Sequence, residues 1–328
     1  MSFTYEEFLN LSLPSDDSES HGNELRANWR TIGHVLAPQR VFYVSPSYTD
    51  SNLGNVTATD RRHFPTIQEA IDAAEATGHT SQNIIKIYPG TYPENLTIGG
   101  TISLVGEVSP VWEALGGGIS TFINGVQSQA KPIITVNPVG TDYTCVLLEN
   151  LCLGNSYGLD NPVEITEPYL IDIKKPAIYS YPVQFGMKNC QSRMQTWGDH
   201  NLWSYGIKSD GWVRLTIRDS DFYSWDYAGD EEDGGIRYMF DITGDLSNGH
   251  NAEIRAYNIN LGHTYGGGGP ITPALFNMSN GYSGRVGRSN FKPAGHLIKT
   301  DETGTVAGLQ GATFDDYKNI EGVVFTWF

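Results

Sequence analysis

The stretch from Thr66 to Gly106, TIQEAIDAAEATGHTSQNIIKIYPGTYPENLTIGGTISLVG, decides the fold. Thr66 is placed to cap a helix, with Glu69 three residues on as a capping-box partner. Ile67, Ala70, Ile71 and Ala74 then fall on one apolar face at helical spacing, and Gly78 is the stop. A β-branched run, IIKIYPGTY, follows and breaks at the turn dipeptide Pro89-Gly90. Two further short strands are expected at residues 96–98 and 102–105, separated by Gly99-Gly100. A short amphipathic helix followed by brief strands with sharp glycine corners predicts a capped coil. The helix covers the open end of a stacked core whose first rung the strands form.

Past Gly106 the chain aligns against itself. The pattern apolar, any, Asn or Asp, small or apolar, any, apolar recurs as LENLCL at 148–153, MKNCQS at 187–192, IRDSDF at 217–222 and AYNINL at 256–261. Weaker copies stand at 286–291 and 309–314. A second apolar strand precedes each copy, at residues 133–136, 170–173, 205–208, 239–242, 275–278 and 297–300. Two strands per unit over six units is the signature of a solenoid. Asn150, Asn189, Asp219 and Asn258 would stack at one corner of successive rungs, because Asn and Asp tolerate the left-handed backbone a sharp bend demands. Stacked amides can also hydrogen-bond along the axis. Unit spacing of roughly 22 to 39 residues exceeds what a bare coil needs. The excess is expected to leave the coil as loops at 155–167, 194–203, 224–237 and 262–273, which is where recognition would live.

The opening resembles that of the pectin-lyase-like right-handed β-helices. In pectinesterases and their relatives a helix like TIQEAIDAA is followed by IKIYPGTYPENLTI and then ISLVGE. The match covers about 40 residues and implies an all-β, single-stranded right-handed parallel β-helix with an N-terminal capping helix and a short N-terminal arm. It implies the scaffold only, since fold does not carry activity. The inward Gln, paired Asp and Arg segments of pectinesterases and the Asp and Gly-His-Gly set of polygalacturonases are not found, so no catalytic residue carries over.

Residues 1–40 read as an arm distinct from a β-helix at 41–328. SDDSES at 15–20 is polar, and ELRANWRTIGHVL at 24–36 predicts a short helix with Leu25, Trp29 and Ile32 on one side. A helix this short needs a surface to dock on. An arm of this kind ahead of a β-helix resembles the particle-binding ends of phage spikes and fibres. Net charge is −16. With no phosphate-neutralising patch standing out, a nucleic-acid partner is not expected, and an acidic surface repels anionic polysaccharide unless metal ions intervene. No signal peptide or membrane-length apolar run is present, so synthesis in a host cytoplasm and no membrane insertion are expected. Cys145, Cys152 and Cys190 lack zinc-site spacing and read as buried thiols, and no metal or cofactor is expected.

Candidates for chemistry are few. Asp199 beside Trp197 and Trp203 forms a sugar-platform candidate, with Trp225 a third glycan-contact ring. Asp226 with the acids at 230–233 could bind Ca²⁺ but lacks the spacing of a calcium loop and reads as a solvated face, with Asp199 and Asp226 the weak candidates for acid or base work. Asp219 and Asp221 read as structural. The expectation is a structural virion surface protein, a decoration protein or attachment spike, homotrimeric and anchored through Leu25, Trp29 and Ile32. The competing expectation is a glycan-binding or polysaccharide-degrading tailspike, a hydrolase or lyase, acting on a surface polysaccharide.

Overall fold

A computed structural model describes residues 40–48, 62–77, 83–107, 119–125, 131–139, 143–154, 169–176, 181–196, 205–226, 238–265, 274–287, 290–292, 296–300, 305–307, 313–314 and 325–326. The chain divides at Arg40/Val41. Leu25, Trp29 and Ile32 therefore lie outside the described residues, as do Trp197, Asp199 and Trp203.

From Val41 onward the described strands belong to two parallel sheets, one of 17 strands and one of seven. The larger sheet is folded along a corner into a first and a second face. The seven-stranded sheet is the third face. Each coil runs through the faces in turn. Cys145–Glu149 lies on the first, Cys152–Gly154 on the second and Tyr169–Ile173 on the third, and Val183–Lys188 then returns to the first. A parallel strand cannot pair with its sequence neighbour through a tight hairpin, so the chain must wind. The result is a right-handed parallel β-helix. Three strands make a coil, not the two expected. The Asn-containing segment read as one strand is two strands meeting at a bend, and in Val213–Asp226 and Ala252–Tyr265 the strand continues through it.

The bend is held at Asn150, Asn189, Asp219 and Asn258, with φ of 58°, 51°, 50° and 53°. Asn189 Nδ2 donates to Asn150 Oδ1 at 2.7 Å, and Asn258 Nδ2 to Asp219 Oδ1 at 2.6 Å. A fifth left-handed residue, Asn280 (φ 52°), turns a different corner, between the third and first faces. Inside, alternate residues stack into columns such as Ile85, Leu104, Leu148, Met187, Ile217 and Ala256, all buried. On the third face Phe240 stacks on Phe276 with centroids 5.0 Å apart.

Helix α1, Ile67–Glu75, closes the N-terminal end with Ile67, Ala70, Ile71 and Ala74 buried. Thr66 Oγ1 accepts from the Glu69 amide at 3.3 Å. The carboxylate of Glu94 receives the next free amides, Ile67 N and Gln68 N, each at 2.9 Å. Gln68 also pairs with the backbone of Thr97, accepting from its N–H at 2.8 Å and donating to its carbonyl at 3.1 Å. The helix so satisfies backbone groups of Leu96–Ile98, which begins the seven-stranded sheet, as the exposed edge of a sheet requires.

Candidate functional site

The outer surface of the third face gathers charged and polar side chains that act on one another. Its strands are Leu96–Ile98, Ile134–Val136, Tyr169–Ile173, Tyr205–Asp210, Tyr238–Thr243, Ala274–Ser279 and His296–Thr300. Ile171, Ile207, Phe240 and Phe276 share one register position and face the core. The next residue in each strand faces outward, which aligns Thr97, Thr135, Asp172, Lys208, Asp241 and Asn277 along the axis, about 4.8 Å apart.

Asp241 is fixed from two sides. Tyr169 OH donates to its Oδ2 at 2.8 Å, and Asn277 Nδ2 to its Oδ1 at 2.9 Å. Lys208 Nζ stands 5.3 Å from the centroid of the Tyr169 ring and 4.0 Å from Asp210 Oδ2. Asp172, with a side chain only 1% exposed, is ion-paired with Lys174. Burial pushes the Asp210 carboxyl above the usual aspartate range; Lys208 and Lys174 oppose the shift while Asp172 and Asp241 add to it. Tyr169 and Tyr205 are register partners, and Tyr238 stands at the equivalent place one rung on, two residues before Phe240 as Tyr205 is two before Ile207. Each of three successive rungs thus carries a tyrosine at the start of its third-face strand.

This arrangement offers an oriented carboxylate, a second carboxyl pushed up by burial, an ammonium and a half-exposed phenol ring within three rungs. Such a set can accept from and donate to neighbouring hydroxyls while a ring supports an apolar sugar face. Among the described residues no group of three or more His, Cys, Asp or Glu is arranged to hold a metal ion.

Sequence reasoning pointed elsewhere. Trp225 and Asp226 close the strand Val213–Asp226, and their side chains lie outside the described part. Asp219 is in the corner, receiving the Asn258 amide. Asp221 Oδ1 accepts from Asn260 Nδ2 on the second face. Cys152 and Cys190 are buried and Cys145 is half-buried; burial pushes the Cys190 thiol up to about 12, which leaves it inert. The third-face residues were missed although a signal exists. YLIDI, YGIKSD, YMFDIT and ALFNMS each place a polar residue directly after the core residue Ile171, Ile207, Phe240 or Phe276, and aligning them gives the polar column.

The fold and this face together define a parallel β-helix protein with a polar sheet surface. No family model matches the chain, and no curated protein does. Solved structures similar to it are pectin methylesterases, which share the right-handed parallel β-helix. That from Aspergillus niger is 15% identical, with a TM-score of 0.43, over 88% of this chain and 90% of that one. PemA from Erwinia chrysanthemi gives 14% and 0.43, over 88% and 81%. The carrot enzyme gives 13% and 0.41, over 89% of each. Likeness at this level carries no functional residue with it.

Proposed function

We propose that this β-helix binds a saccharide along the outer surface of its third face. The observation that carries the reading is Asp241 held by Tyr169 and Asn277, with Lys208 poised over the Tyr169 ring one rung away. A carboxylate pinned by two hydrogen bonds is an acceptor of fixed direction, which is what recognition of a sugar hydroxyl asks for. A glycan array followed by titration calorimetry tests it. Tyr169→Ala and Lys208→Met should each weaken the saccharide found by about tenfold or more while leaving the circular dichroism unchanged. Affinity unaltered in both variants would discard the site.

A second reading, cleavage of the bound saccharide by a hydrolase or lyase, has one observation in its favour. Asp210, with its carboxyl pushed up by burial, lies one rung from Asp241, so two carboxyl groups in different surroundings share one surface. If Asp210 is the acid, turnover falls as pH rises through its raised value, and Asp210→Asn abolishes turnover with binding retained.

The place of action we propose is the outside of a virus particle, as a homotrimeric spike or decoration protein. Support comes from the sequence of residues 1–40, whose Leu25, Trp29 and Ile32 stripe suits a partner surface in the capsid or tail. A chain lacking residues 1–40 should stay folded, bind the saccharide and fail to attach to particles; attachment by the truncated chain would refute this assignment.

A further inference from the structure

The chain carries 21 Lys and Arg against 37 Asp and Glu, and nothing in its sequence clusters the cations. The coil does. On the outer surface of the first face, four successive rungs contribute Lys188, Arg214 and Arg218, Arg255, and Arg285, all exposed. The described acids on this surface are Glu149 and Glu253, and the exposed carboxylate of Asp219, at the corner directly after Arg218, also acts on Lys188. Lys188 Nζ meets Glu149 Oε1 at 2.7 Å. Glu253 is shared, with Arg214 Nε at 3.3 Å and Arg255 Nη2 at 2.6 Å. Among the described residues Arg218 and Arg285 have no ion-pair partner.

Register makes this arrangement costly. Lys188 and Arg218 are direct partners on adjacent strands, and so are Arg255 and Arg285. Like charges placed opposite one another destabilise a sheet. Two such pairs side by side, on a protein of strongly negative charge, form a field that an anionic ligand would neutralise. Tyr257, the register partner of Arg218 on the next strand, is 43% exposed.

We infer that the first face binds an acidic polysaccharide, its carboxylates or sulfates taken by Arg218, Arg285 and Arg255 with Tyr257 supporting a sugar ring. Planar guanidiniums match such groups in a bidentate manner. Size favours this occupant over nucleic acid. The cations span four rungs, about 15 Å along the axis, and most of the remaining net charge would repel a long polyanion reaching beyond them. The site is separate from the third face and does not depend on it. The inference departs from the expectation that an acidic surface repels anionic polysaccharide, because the cations of this face are gathered locally.

The test is affinity electrophoresis and titration of the full chain with alginate, with dextran as the neutral control and oligodeoxythymidine as the nucleic-acid control. Alginate should bind, dextran should not bind at this face, and binding should weaken as salt rises from about 50 to about 200 mM. Arg218→Gln combined with Arg285→Gln should weaken alginate by about tenfold, whereas Tyr169→Ala with Lys208→Met should leave this binding unchanged. Since Arg285 opposes Arg255, the Arg285→Gln chain should melt no lower than the parent, which separates lost binding from lost fold. Absence of alginate binding, or binding indifferent to the double variant, overturns the inference. Oligodeoxythymidine bound with the same salt and arginine dependence, in preference to alginate, replaces polysaccharide with single-stranded nucleic acid.

Discussion

Asn189 shows at one residue why the corner column exists. Its φ of 51° costs most side chains about 1 to 2 kcal/mol, and its amide reaches Asn150 across the rung at 2.7 Å. Asn189→Ala should therefore cost about 1.5 kcal/mol, and Asn189→Gly, which keeps the backbone but loses the amide bond, only about 0.5. Denaturant unfolding checks the pair; equal losses would assign the corner's stability to the ladder and not to the backbone. Asp210 gives the opposite kind of residue, one whose folded environment favours the protonated form. Its pKa is raised on folding, so its contribution is fully present below the ordinary aspartate value and is lost as pH rises through the folded value. Asp210→Asn should flatten the dependence of melting temperature on pH just above about pH 4, measured by calorimetry. A dependence as steep as the parent's would show that Asp210 is ordinary in the folded chain.

At the scale of elements, α1 was the most legible part of the sequence, because Thr66, Ile67, Ala70, Ile71 and Ala74 carry cap and stripe within about two and a half turns. The partner that completes its N-terminus was not legible, since Glu94 lies 27 residues from Ile67 and only the coil brings them together. Its carboxylate takes two amides with the helix end's positive field behind them. Burial pushes this carboxyl up while both amides pull it down. Glu94→Ala should cost about 2 kcal/mol, more than Thr66→Ala at about 1 kcal/mol, as urea unfolding can measure. The same contrast explains the strand count. Apolar periodicity marks where strands lie, but a left-handed Asn inside a run such as IRDSDF reads as strand interior until the bend is seen.

At the scale of the whole molecule, winding turns residues that are distant in sequence into neighbours. Asn150 and Asn189 are 39 apart, Tyr169 and Asp241 are 72 apart, and each pair is in hydrogen-bonding contact. Local motifs could reveal the columns but not what stands beside them, which is why Asp199, Trp197, Trp203 and Asp226 drew attention and the third face did not. Polar residues in a solenoid strand are unremarkable singly and become a surface only once the rungs are in register. The cations of the first face follow the same logic, as Lys188, Arg218, Arg255 and Arg285 come from four separate turns of the chain. The most direct measurement is a crystal structure of the full chain with the saccharide that a glycan array selects. The expected result is sugar density along the third face, with hydroxyls within hydrogen-bond reach of Asp241 and Lys208 and a ring against Tyr169. Saccharide seated on another surface, with the third face bare, would contradict it.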